Sequence, residues 1–241
     1  MPDNPSPNRL LQSLPTRIRD RVLRHAERME LNLKDLLVEA DRPIEHVYFP
    51  EVGVCSMVST GEADFGPDRL LIEVATVGRE GFVGTPLLLG SDETRTMTLV
   101  QIPGRALRMP AKEFMAIVRD EPELQLTLLR YTQALIMQIS QAATCNRLHN
   151  IEERAARWLL MTQDRVDENT FPLTQEFFGQ MLGVRRQAVN IAASMLQKAG
   201  MIQYTRGQIT ILDRKGLEAT ACECYRIIVK EFEKSARVPY Q

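Results

Sequence analysis

The spacing of apolar positions changes several times along the chain, and each change marks an element. The first dozen residues, MPDNPSPNRLLQ, are rich in Pro, Asn and Ser and predict a loose arm. From Pro15 to about Leu37, the apolar residues Ile18, Val22, Leu23, Met29 and Leu31 recur among charges, which predicts short amphipathic helices. From Glu45 to Arg108 the texture turns to short runs, HVYFP, GVCSMVS, LLIEVATVG, TMTLVQIPG and RALRMP, rich in β-branched and aromatic residues and divided by Gly, Pro and Asp. No helical pattern long enough for a crossover lies between them, so the strands are expected to pair antiparallel in a jelly-roll-like β-roll.

After Pro110 the period becomes helical. AKEFMAIVRDEP predicts one helix, and a longer one runs from Pro122 to about residue 146. Within it Leu128, Thr132, Leu135, Ile139 and Ala142 alternate four- and three-residue steps, the interval that keeps a seam toward a partner helix. The seam predicts a dimerisation helix; burial of the same helix against its own β-roll is the alternative. IEERAARWLLMTQDRV then predicts an amphipathic helix with Ile151, Ala155, Trp158, Leu159 and Met161 toward a core, followed by a turn-rich connection, DENTFP. The break at residues 146 to 150 divides the chain into an expected β-roll domain, 1–146, and a second domain, 147–241. The fold class is α+β.

Two helices with a very short turn between them follow. LTQEFFGQMLG has Thr174 placed to cap its start and Gly183 to end it, and VRRQAVNIAASMLQKAG stops at Gly200. In the second helix Val189, Ala193 and Leu196 share an inward face, while Arg185, Arg186, Gln187 and Asn190 project from its first turns. Seated in a major groove, such turns reach base edges, where Arg pairs with guanine and Gln or Asn with adenine. MIQYTRGQITIL alternates as two short strands with Arg206-Gly207 at the tip, a wing suited to laying Arg206 against phosphate. GLEATACECYRIIVKEF carries Leu217, Ala221, Tyr225, Ile228 and Phe232 on one face and predicts one added C-terminal helix, packed either on the wing or at a dimer contact.

Charge sharpens this reading. Over 241 residues the net charge is only −1, but residues 1–146 carry −4 and residues 147–241 carry +3. Between Gly183 and Lys215 stand Arg185, Arg186, Lys198, Arg206, Arg214 and Lys215 against the single acid Asp213, the place for a phosphate backbone to meet the chain. No basic region with an apolar run opens the chain and no apolar stretch approaches the roughly 18 residues of a membrane span, so a cytoplasmic protein off the membrane is expected. The four cysteines, Cys55, Cys145, Cys222 and Cys224, read as reduced thiols. The C-x-C pair lacks the second pair of a zinc or iron–sulfur site, and packing on a helix face is the expectation, with no metal.

The run from Leu173 to Ile211 resembles the winged helix-turn-helix of the Crp/Fnr regulators, and GREGFVGTPLLLG through RTM resembles their nucleotide-binding cassette, the likeness covering roughly residues 30 to 215. The resemblance implies a homodimeric transcription regulator on a pseudo-palindromic double-stranded operator, with RNA polymerase as a further partner. It places Arg186 and Gln187 at the main base-reading positions, Arg185 and Asn190 beside them, and Thr174 and Glu176 where the family approaches the backbone. In the cassette the family's Gly-Glu pair, whose carboxylate holds a ribose hydroxyl, is replaced by Gly84-Thr85, and its Arg step reads Arg95-Thr96 followed by the bulky Met97. Gly84, Thr85, Arg95 and Thr96 are the effector-binding candidates. Without the carboxylate a cyclic nucleotide is the less favoured cofactor, behind another small ligand or none. The first 54 residues lack the cysteine cluster of an iron–sulfur sensor, and His25, His46 and His149 are isolated as haem ligands.

Two rival readings remain. A ligand-binding regulatory β-roll without DNA function would leave the arginine-fronted helix and the wing unexplained. An enzyme is disfavoured, since no GxSxG, P-loop, HExxH or GxGxxG occurs and no nucleophile–base set is recognisable.

Overall fold

The computed structural model describes residues 6–61, 70–166 and 168–237. Two short helices, α1 (Arg9–Gln12) and α2 (Thr16–Arg24), precede the strands β1 (Glu27–Leu31), β2 (Leu36–Val38), β3 (His46–Gly61), β4 (Leu70–Val77) and β5 (Met97–Pro110). The sheet runs β1-β5-β3-β4, with β2 also on β5. The expected α+β class with an antiparallel sheet core is thus present. The expectation of helices from Pro15 to about Leu37 holds only at α2, since 27–31 and 36–38 are strands, and the expected loose arm carries the helix α1 with Leu10 and Leu11 buried. β1 pairs with β5 from Glu27↔Arg108 to Leu31↔Gly104, so ladder hydrogen bonds to the long β5 outweigh the local spacing of Met29 and Leu31.

The sheet's core is aromatic. Phe49, Phe82, Phe114 and Tyr131 lie with ring centroids 5.5 to 6.0 Å apart, the last two supplied by α3 (Ala111–Asp120) and α4 (Pro122–Leu148). Tyr131 lies so close over Gly81 that a Cβ there would sit 2.0 Å from its ring. Arg17 and Arg21 of α2 hold the buried Glu121 carboxylate between α3 and α4, at 2.7 and 2.9 Å.

The C-terminal elements are α5 (Ile151–Val166), β6 (Thr170–Pro172), α6 (Gln175–Leu182), α7 (Arg186–Lys198), β7 (Ile202–Thr205), β8 (Gln208–Ile211), α8 (Arg214–Thr220) and α9 (Cys224–Arg237). The connection DENTFP does more than turn: its Phe171 is buried and pairs with Ile209, making β6 the outer strand of a β6-β8-β7 sheet. Three residues are too few to show alternation in sequence. Nor is the C-terminal segment one helix. Ala221 is extended (φ −63°, ψ 142°) and separates α8 from α9. Phe232, near the end of α9, packs on Tyr131 with centroids 6.0 Å apart.

By contact the chain forms two compact units, one of residues 1–57, 76–137 and 230–241, the other of 58–75 and 138–229. The second includes part of β4, whose Glu73 carboxylate accepts the Trp158 indole N–H at 2.8 Å.

The heptad-like seam on α4 is corrected. Leu128, Thr132, Leu135 and Ala142 are buried by the chain itself, and Ile139 is half-buried. The four- and three-residue step identifies a buried face without saying what buries it, and here it is intrachain packing. The opposite face, with Leu129, Gln133, Ile136, Ser140 and Ala143, is exposed.

Candidate nucleic-acid interface

The α6–α7 pair is held by local devices. Thr174 Oγ1 accepts the Phe177 amide at 3.1 Å and starts α6. Gly183, at φ +63°, ends it in the left-handed region. Gly179 lets the next helix approach: a Cβ there would stand 3.1 Å from the Val184 carbonyl and 3.5 Å from Val189. From α5, the buried Arg154 donates to the Leu182 carbonyl at the end of α6, a cation where the helix dipole is negative. Trp158 of α5 packs on Phe178 of α6, centroids 5.1 Å apart.

α7 is thereby fixed on one side and open on the other. Val189, Ala192, Ala193 and Leu196 are buried, while Arg186, Gln187, Asn190, Ile191, Ser194, Met195 and Lys198 are exposed. Arg185 is the N-cap, exposed and without a capping bond from its side chain. The sequence reading named Arg185, Arg186, Gln187 and Asn190, which the fold places at the exposed start of α7, and did not name Ile191 and Met195. These are 59% and 52% exposed on the helix that presents the polar candidates, and an apolar side chain there matches the thymine methyl. Their signal was their four- and eight-residue spacing from Gln187.

The wing is tied to this helix. The Tyr204 amide donates to Gln197 Oε1 at 2.8 Å, and the Tyr204 hydroxyl donates to the Leu173 carbonyl at 2.7 Å. Burial pushes the Tyr204 phenol up to about 12, so it stays a neutral donor at ordinary pH. Arg206 and Gly207 both have positive φ, 51° and 77°, as a two-residue turn with the twist of the flanking strands requires. Arg206 stands exposed at the tip. Thr174 is exposed too; its oxygen accepts within the cap, and its hydroxyl hydrogen is left to donate. Glu176, in the first turn of α6, brings a negative charge to that end.

The effector candidates are placed differently. Gly84 (φ 122°) precedes a 3-10 turn, Thr85–Leu89, and a Cβ on it would meet Val47 at 2.7 Å, so packing alone accounts for glycine there. Thr85 is buried. The Arg95 side chain is 95% exposed, with Asp41 4.0 Å away, and Thr96 Oγ1 lies 3.0 Å from Thr94 Oγ1. Arg95 faces water, the geometry of a hydrated surface pair. His25 meets Glu113 at 3.0 Å and His46 lies 6.3 Å from the Tyr48 ring.

Cys222 and Cys224, read as helix-face packing, stand instead with Cys145 and His149, their ligand atoms all within 4.8 Å of one another. The second pair that the sequence reading missed comes from the end of α4, more than 70 positions away.

A buried-backed helix of exposed Arg, Gln and Asn, preceded by a capped helix and followed by a hairpin with Arg at its tip, defines a winged helix-turn-helix. Residues 153–220 match the family described as the Crp-like helix-turn-helix domain. No curated protein matches the chain by sequence. Its fold is that of solved Crp/Fnr-type regulators. FixK2 of Bradyrhizobium japonicum is similar with a TM-score of 0.64 at 16% identity, over 82% of this chain and 98% of that one. CLP of Xanthomonas campestris, a c-di-GMP-responsive global regulator, is similar with a TM-score of 0.65 at 14% identity, over 82% and 99%. A Crp/Fnr-family transcriptional regulator of Thermus thermophilus is similar with a TM-score of 0.64 at 18% identity, over 81% and 98%. Among the described residues no helix is long and apolar enough to cross a membrane.

Proposed function

We propose that this chain is a sequence-specific transcription regulator that binds double-stranded DNA as a homodimer, with residues 147–241 reading the operator and residues 1–146 forming the sensor and dimer part. The observation that carries the reading is the polarity of α7: its inner face is buried apolar, and its outer face presents Arg186, Gln187 and Asn190 in the first turns. Arg186 and Gln187 read base edges, Arg185 and Asn190 support them, and Ile191 meets a thymine methyl. Thr174 and Arg206 hold phosphates, which positions the helix without selecting sequence.

The second copy docks on the exposed face of α4. Leu129 and Ile136, 40% and 46% exposed, lie on it with Gln133 and Ser140 between. A two-fold contact along this helix sets two reading helices on one face of the duplex, about one helical turn apart. Gly84, Thr85, Arg95 and Thr96 provide no carboxylate for a ribose, so an effector in the β-roll belongs to a class other than the cyclic nucleotides. The rival reading, a regulatory β-roll without DNA function, gains no observation of its own.

Selection of genomic fragments by the purified protein, with and without cyclic AMP and cyclic GMP at fixed salt, tests the proposal. Recovery of a palindromic motif in the absence of nucleotide is expected. Failure to enrich any motif in any condition contradicts the DNA-reading assignment, and a motif recovered only with a nucleotide contradicts the effector assignment.

A further inference from the structure

We infer that Cys145, His149, Cys222 and Cys224 form a closed, tetrahedral site for one zinc ion. The Cys145 and Cys222 sulfurs are 3.4 Å apart, Cys224 Sγ is 3.6 Å from His149 Nδ1, and all four ligand atoms lie within 4.8 Å of one another. Tetrahedral zinc, with bonds of about 2.3 Å to sulfur and about 2.0 to 2.1 Å to nitrogen, sets its ligands roughly 3.4 to 3.8 Å apart. The Cys145–Cys222 and Cys224–His149 separations fall in this range, and the other pairs lie within 4.8 Å, so a single ion needs only a small inward closure of the set; the sulfides of an iron–sulfur cluster would not fit between these atoms.

The backbone is arranged for it. Cys145 and His149 are one helical turn apart at the end of α4, with the His149 amide donating to the Cys145 carbonyl at 3.1 Å. Cys222 lies in the break between α8 and α9 and Cys224 opens α9, just after extended Ala221 interrupts what the apolar pattern reads as continuous helix. The three thiols are buried.

Two surrounding features belong to a metal site rather than to a packed thiol cluster. The Glu223 carboxylate lies 3.3 Å from His149 Nε2, which leaves Nδ1 turned toward Cys224, the carboxylate–histidine–metal arrangement that fixes a ligand imidazole. Arg154 and Arg157 are buried on α5 with their Nε atoms unpaired, and among the described residues neither meets a carboxylate. Three thiolates around a divalent ion carry one net negative charge, which offsets buried guanidinium charge that neutral thiols would leave uncompensated. The soft sulfur-rich donor set selects zinc over the hard cations. With four protein ligands no position is left for substrate, so the ion is structural: it clasps the end of α4 to the joint between α8 and α9. The inference is independent of what α7 binds.

The test uses the full chain purified from zinc-supplemented cells without chelator. One zinc per chain by elemental analysis is expected, and cobalt(II) exchanged into the protein should give the ligand-field bands of a tetrahedral site with thiolate-to-cobalt charge transfer. Cys222→Ser should lose most of the zinc and weaken the charge-transfer band, whereas Cys55→Ser, at a buried thiol of the first unit, should retain both. If Cys222→Ser fails to fold, the wild-type stoichiometry and the cobalt spectrum decide. Folded wild-type protein holding less than about a tenth of an equivalent of zinc, with only octahedral cobalt bands, overturns the inference. So does a Cys145–Cys222 disulfide, found by mass mapping, in metal-free protein.

Discussion

At the scale of single residues, the division of labour follows from what each side chain has left after folding. Arg154 is buried and donates to the end of α6, so it serves the fold; Arg186, equally cationic, is exposed on α7 and open to a partner. Glu121 is the clearest titrating example. Hydrogen bonds from Arg17 and then Arg21 lower its carboxyl from the ordinary 4.5 to about 2. A depressed acid stabilises the fold above its unfolded value and loses that contribution as pH falls from about 4.5 toward about 2. Glu121→Gln should therefore lower the melting temperature near neutral pH and match wild type in strong acid. A constant difference across the whole range would show that the loss is packing and not charge. The candidate reading residues were legible in the sequence because Arg185, Arg186, Gln187 and Asn190 stand within six consecutive positions. Ile191 escaped because an apolar residue on a helix reads as core until its exposure is known.

At the scale of elements, legibility tracks how local the signal is. α6 and α7 are announced by Thr174, Gly183 and Gly200, each acting within a turn, and the wing by Arg206-Gly207. β1 is not announced, because its pairing with β5 joins residues about 80 positions apart. The break between α8 and α9 is likewise invisible when Cys222 and Cys224 are read without Cys145 and His149. Gly183 tests the turn directly. A Cβ there would make ordinary contacts, the nearest being Ile72 at 3.6 Å, so the cost of Gly183→Ala is conformational. About 1 kcal/mol of lost stability is expected from urea midpoints, with the helix-turn-helix retained. An unchanged midpoint would mean that the turn does not need its left-handed residue.

At the scale of the whole molecule, the seam on α4 carries the main lesson. Heptad-like spacing at Leu128, Thr132 and Leu135 correctly marked an apolar face, but the protein's own chain covers it, which moves the proposed dimer contact to the face of Leu129 and Ile136. Leu129→Glu should raise the dimer dissociation constant by at least about tenfold in sedimentation equilibrium, since an interfacial carboxylate must be desolvated, and should leave the folded monomer intact. A dimer of unchanged affinity would place the contact elsewhere. The most direct test of the central claim compares wild type, Arg186→Ala and Arg206→Ala on the selected operator and on its single-base variants across a range of salt. Arg186→Ala is predicted to cost about 1 to 3 kcal/mol on the operator and to relax discrimination at one base position, while Arg206→Ala weakens all sequences alike and lowers the salt slope by about 1. An Arg186→Ala protein that folds, dimerises and discriminates bases as wild type does would contradict the assignment of α7 as the reading helix.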